Sequence, residues 1–156
     1  MLFSLLSRSK KPEIRCVNMY ASSQCFIIAA MHQNFAGIYY EQSEPMLIQG
    51  KPSAEELGSA FRNAFDAFSI KDVNLREYKR SDWPSFKASN LRTIKEFERS
   101  FRLIHCVSCD ASNAVVRASV AHPSHPSIEL SASFNPLIAP TDIGASLLIL
   151  VDVAHQ

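Results

Sequence analysis

The stretch Ser53-Ala-Glu-Glu-Leu-Gly-Ser-Ala-Phe-Arg-Asn-Ala-Phe-Asp-Ala-Phe68 reads as one amphipathic helix, and what it must pack against decides the fold. Ser53 with Glu56 three residues on forms a capping box, in which each side chain satisfies a backbone amide the helix leaves orphaned. Leu57, Ala60, Phe61, Ala64, Phe65 and Phe68 then recur at three- and four-residue spacing and make one apolar stripe. Such a stripe packs against a core rather than a ligand. The segments on either side show strand patterns, so the stripe is expected to lie on a sheet.

Upstream, Ile14–Tyr20, Gln24–His32 and Phe35–Glu41 are rich in β-branched and aromatic residues and read as a small meander. Cys25-Phe-Ile-Ile-Ala-Ala30 is apolar without alternation, as in a strand covered on both faces. Met46–Gln49 can add a short fourth strand. Downstream, residues 70–90 are polar and mixed, and Pro84 forces Trp83 out of the helical region, so a surface connection is predicted. A second helix is expected over Asn90–Ser100, with Leu91, Ile94 and Phe97 inward and Arg92–Glu96 as an i,i+4 ion pair. Strands follow at Phe101–Ser108, Ala114–Ala121 and Ile128–Phe134, the last with Glu129, Ser131 and Ser133 on a wet face. From Thr141 the chain is apolar all round and reads as a buried helix, with a terminal strand as its rival. The order β-β-β-(β)-α-α-β-β-β-α predicts an α+β fold: a mainly antiparallel sheet with helices packed on it. One domain is expected over residues 1–156, with 1–12 a flexible or loosely packed basic leader.

The chain has 156 residues, 47% of them hydrophobic and 20% charged, which is ordinary for a globular domain. Sixteen basic and fifteen acidic residues leave a formal charge of +1, without the basic excess of a dedicated nucleic-acid binder. The leader puts its apolar run before its basic residues, the reverse of a secretory signal. The apolar run from Ile143 to Val153 is about half of the ~20 residues a membrane span needs. A cytoplasmic location with no membrane partner is therefore expected. Cys16, Cys25, Cys106 and Cys109 read as thiols buried in or near strands.

The sharpest chemical pattern is Cys106-x2-Cys109-x12-His122-x2-His125, whose donors invite a zinc reading. A finger needs both histidines on one helix, which Pro123 and Pro126 prevent. A site across the ends of adjacent strands stays open, so a zinc-stabilised protein-interaction adaptor is the alternative function. His105 adjoins Cys106, but strand neighbours point to opposite faces, which defeats a thiol–imidazole pair. Glu55-Glu56 and Glu96-x-Glu98 sit on helices among basic residues and read as capping or solvated side chains. No glycine cluster is present to cradle a phosphate. No catalytic residue and no cofactor is assigned. The polar connection interleaves Lys71, Arg76, Lys79 and Arg80 with aromatic residues, but Asp72, Glu77 and Asp82 offset the charge. That mixture suits a protein interface better than nucleic acid, with Glu77, Tyr78, Asp82, Trp83 and Phe86 as candidate contacts. For Trp83 a lid over the core is an equal alternative.

One internal echo remains. Glu56-Leu-Gly-Ser-Ala-Phe61 is matched by Asp142-Ile-Gly-Ala-Ser-Leu147. Glycine inside a helix costs ~1 kcal/mol relative to alanine, so its repetition predicts close approach of each helix to the sheet. Together with Trp83, the Thr93-Ile-Lys-Glu-Phe97 helix and Ser127-Ile-Glu-Leu-Ser131, this order over residues 50–152 resembles the immunity proteins of bacterial contact-dependent growth inhibition systems. The resemblance implies a non-enzymatic protein whose partner is a cognate toxin domain, in many such systems a nuclease. It carries over no contact residues.

Overall fold

The computed structural model describes residues 14–110, 112–119 and 128–154. The predicted leader, His122 and His125 lie outside them. Among the described residues eight strands run in chain order: β1 (Cys16–Ala21), β2 (Cys25–Gln33), β3 (Tyr39–Glu41), β4 (Met46–Gln49), β5 (Ser69–Ile70), β6 (Arg102–Asp110), β7 (Asn113–Ser119) and β8 (Glu129–Phe134). Four helices accompany them: α1 (Ala54–Asp66), α2 (Pro84–Ala88), α3 (Ile94–Ser100) and α4 (Pro140–Ala154). The fold is α+β in one domain, as the element order predicts.

The sheet order is β3-β2-β1-β6-β7-β8, with β4 and β5 also paired to β2. Neighbours are antiparallel except β5, which lies parallel to the end of β2. Along β2 the partners run from Gln33↔Tyr39 to Met31↔Glu41 and then from Ile28↔Met46 to Cys25↔Gln49. β3 and β4 are thus one interrupted strand. The expected strand from Phe35 is shorter because a turn occupies its start, with Asn34 Oδ1 accepting from Ile38 N at 2.9 Å.

Alternation along the strands sorts the core into two layers. Val17, Met19, Phe26, Ile28, Ile104, Cys106 and Val116 face α1 and α4, joining Leu57, Phe61, Phe65, Ile143 and Leu147. The opposite face carries Tyr20 and Ile27, which pack with Phe97, Phe101, Trp83 and Phe86. Burying one large apolar side chain contributes ~1.5–3 kcal/mol, so both layers matter to stability. Coverage on both faces explains why β2 reads as a continuous apolar run. The six residues of the predicted helical stripe, Leu57 to Phe68, are all buried. Ser53 caps α1 through its Oγ, which accepts from Glu56 N at 3.1 Å.

Two expectations need correction. The repeated glycines bring the helices to each other, not to the sheet. A Cβ on Gly58 would stand 1.6 Å from the Pro140 carbonyl oxygen, and one on Gly144 would stand 1.8 Å from that of Ala54. Second, α3 starts at Ile94 rather than Asn90. Asn90 adopts φ 56°, which no helix continues through, and Thr93 Oγ1 caps the new start by accepting from Glu96 N at 3.1 Å. Arg92 therefore precedes the cap, and the helical spacing of an Arg92–Glu96 pair does not apply. The connection 70–90 lies largely at the surface, as predicted, and within it two 3-10 turns (Leu75–Glu77 and Arg80–Asp82) lead into α2. Pro84 bars Trp83 from the helix but is itself well placed at the first helical position, where no amide partner is needed. The final apolar element is the helix rather than the strand.

Candidate partner-binding groove

Residues 71–90 form a strap across the edge of the sheet, and beneath it opens a groove of about 500 Å³. Its sheet side carries His32, Tyr40, Glu41 and Gln42, and its strap side carries Glu77, Tyr78, Asp82 and Lys87. Tyr40 reaches across, its hydroxyl donating to the Lys71 carbonyl at 2.8 Å. His32 Nδ1 lies 2.8 Å from Ser69 Oγ, and its ring stands 5.3 Å from that of Tyr40. Burial, and then the proximity of Tyr78 and Asp72, raise the Tyr40 phenol above its ordinary value, so it stays a donor.

Asp82 is held at the strap by the Lys79 amide at 3.1 Å and by the Lys87 ammonium at 3.3 Å. The Lys79 amide is the main cause, and Lys87 the next, of a carboxyl group below the usual aspartate range. Arg80 pairs with Glu98 and ties the strap to α3. Glu77 and Tyr78 are exposed.

From Glu41 on the groove wall a polar network leads away across the sheet. Glu41 Oε1 accepts from the Tyr20 hydroxyl at 2.5 Å and from Asn18 Nδ2 at 3.4 Å. Glu41 Oε2 accepts from Ser85 N at 3.0 Å and from Ser85 Oγ at 2.7 Å. His105 Nδ1 lies 2.7 Å from Asn18 Oδ1. Because Asn18 Oδ1 can only accept, His105 carries its proton on Nδ1. Burial, followed by the charge of Arg117, lowers the His105 pKa, so the ring is neutral near pH 7. Burial, followed by the Glu41 charge, raises the Tyr20 phenol, which keeps donating.

The five residues singled out from sequence divide into two groups. Glu77, Tyr78 and Asp82 line the groove. Trp83 and Phe86 turn inward instead: Trp83 stands edge-to-face on Tyr20 at 5.6 Å and on Phe97 at 5.0 Å, and Phe86 lies 6.0 Å from Phe97. They anchor the strap. Glu41, Tyr20 and Ser85 escaped the sequence reading because each looks like an ordinary strand or loop residue locally.

Among the metal candidates, Cys106 is buried in the layer facing α1 and α4. His105 points the other way, as strand alternation demands. His122 and His125 lie outside the described residues, as does the side chain of Cys109. Among the described residues no three His, Cys, Asp or Glu side chains cluster to hold a metal ion. No helix among them is long and apolar enough to cross a membrane.

Two solved structures resemble the chain over nearly its whole length. A protein of unknown function from Neisseria meningitidis superposes with a TM-score of 0.70 at 13% identity, covering 94% of this chain and 98% of that one. A chain of the CdiA-CT/CdiI toxin and immunity complex from Yersinia pseudotuberculosis superposes with a TM-score of 0.64 at 10% identity, covering 90% and 97%. The fold is shared with both. No protein-family model matches the sequence, and no curated protein matches it.

Proposed function

We propose that this chain is an immunity protein: it binds the toxin domain of a contact-dependent growth inhibition effector and neutralises it by occupancy. The observation that carries the reading is the shared fold with a chain of a toxin and immunity complex, matched over 97% of that chain. The sequence order over residues 50–152 points the same way. Of the two halves of such a pair, the immunity half suits a chain in which His105 and Cys106 face opposite sides of a strand and Glu41 is engaged by Tyr20, Asn18 and Ser85.

The proposed contact surface is the groove and its strap wall. Glu77 and Tyr78 are exposed there, and Asp82 is held in a fixed position by Lys79 and Lys87. Aromatic and charged side chains on a scaffold anchored from behind make the rigid, mixed surface that protein interfaces favour. The finer expectations, a nuclease as the toxin and the bacterial cytoplasm as the compartment, belong to the same proposal.

The test is growth protection. A large effector is expected to be encoded directly upstream, and its C-terminal domain is induced in a sensitive host with and without this chain. Restored growth supports the reading, and growth arrest in the presence of folded, expressed chain rejects it.

A further inference from the structure

We propose that Glu41 is a positioning residue: its carboxylate latches the strap of residues 71–90 to the sheet and so sets the shape of the groove. The inference rests on the partner-binding reading of that groove and adds what holds the groove open.

Beyond its first two residues, where Lys71 N donates to the Gln33 carbonyl and Asp72 accepts from Phe35 N, and the pair of Arg80 with Glu98 on α3, the exposed part of the strap has few ties to the rest of the chain. Its hydrogen bonds at Arg76, Tyr78 and Lys79 close locally, onto Asn74, Leu75 and Asp82. Residues 76–81 are exposed throughout. At one end Tyr40 holds Lys71, and at the other the chain enters α2. Between sheet and α2 stands Glu41, whose single oxygen Oε2 takes both the amide and the hydroxyl of Ser85. Ser85 is fully buried, so without that oxygen both of its donors would lose their partner away from water. Bonds to an ionised carboxylate are roughly twice as strong as neutral ones, which makes this the strongest polar tie between strap and sheet.

The other carboxylate oxygen links the latch to the aromatic anchor. Oε1 takes the hydroxyl of Tyr20, and the Tyr20 ring is the surface on which Trp83 stands edge-on. One carboxylate therefore fixes the start of α2 and the seat of the residue just before it. Releasing it should let the strap shift with Trp83, and Glu77, Tyr78 and Asp82 would move with the strap. Asn18 extends the same chain of bonds to His105 on β6.

Trp83 is the sole tryptophan, so its fluorescence reports the strap directly. The experiment uses the full chain in five forms, wild type, Glu41→Ala, Glu41→Gln, Ser85→Ala and the Glu41→Ala, Ser85→Ala double variant, with Ile143→Val in the distant core as a stability control. Each is read for Trp83 emission well below its melting temperature and for affinity towards the upstream effector's C-terminal domain. Glutamine keeps an oxygen for Ser85, but its amide nitrogen cannot accept from the Tyr20 hydroxyl or from Asn18 Nδ2, so it should restore only part of what alanine removes.

The expected result is a red-shifted emission and at least ten-fold weaker binding for Glu41→Ala. Glu41→Gln should lie between wild type and Glu41→Ala in both readouts, and Ile143→Val should change neither. Ser85→Ala should be intermediate and add nothing when combined with Glu41→Ala. Unchanged emission in Glu41→Ala overturns the latch, as does equal loss of affinity in the Ile143→Val control. A wild-type chain that fails to bind the toxin domain overturns the partner reading alone, and the emission data still decide the latch.

Discussion

Gly58 on α1 and Gly144 on α4 face each other so closely that a Cβ on either would stand 2.9 Å from the other's backbone nitrogen. The same Cβ atoms would collide with carbonyl oxygens at 1.6 and 1.8 Å. Two helices that share one face of a sheet are here packed backbone on backbone, and glycine is the residue that permits it. This contact seats both apolar stripes on the sheet together.

The first prediction therefore opposes helix propensity. Alanine at Gly58 or Gly144 would favour an isolated helix by ~1 kcal/mol. In the folded chain it forces the helices apart, and overpacking of this kind costs ~3 kcal/mol or more. The net effect should be destabilising, with a melting temperature lower by ~5–10 °C for a domain of this size. Thermal unfolding of either variant measures it, and a raised melting temperature contradicts the packing described.

Phe97 is the hub of the second apolar layer, touching Tyr20, Trp83, Phe86 and Phe101. Phe97→Ala should cost ~3–5 kcal/mol, the usual range for deleting a buried aromatic side chain. Trp83 loses a wall at the same time, so its emission should shift red in the native state. Denaturant unfolding followed by fluorescence reads both effects in one titration.

His105 should make stability fall at mildly acidic pH. Its folded pKa lies below the ordinary value of 6.5, because of burial first and Arg117 second. The unfolded chain then binds the proton more readily than the folded one. The contribution is fully present above about pH 6.5 and is lost progressively as pH falls below it towards the folded pKa. His105→Gln should flatten that part of the stability profile. Arg117→Ala should raise the His105 pKa towards its ordinary value, as an NMR titration of the imidazole would show.

At the groove, Tyr78→Ala and Glu77→Lys should weaken binding of the toxin domain by ~10- to 100-fold, the range of a hot-spot residue. Both side chains are exposed, so the melting temperature should hardly change. Ser133→Lys, on the wet side of β8, should leave affinity as it is. Equal effects at all three positions would move the interface away from the strap.

Much of this architecture was legible because periodicity is a local property. Leu57 to Phe68 marked α1, and the doubly covered β2 showed itself as an unbroken apolar run. Glu129, Ser131 and Ser133 announced the wet face of β8. What stayed hidden depends on pairs far apart in the chain. Five residues of α2 are too few to show a period, and nothing near Glu41 signals that it will meet Ser85. The two glycines were visible as an echo, but their mutual contact requires both helices to be placed first. The groove was half legible: its polar strap carried the mixed composition of a contact surface, while the inward turn of Trp83 and Phe86 followed from an aromatic seat supplied by β1 and α3.

Toxin binding is tested most directly by isothermal titration calorimetry of the purified chain with the C-terminal domain of the effector expected directly upstream. A tight one-to-one complex is expected, in which the toxin's activity is lost in proportion to the chain added. No heat of binding, with the toxin fully active at a molar excess of folded chain, would contradict it.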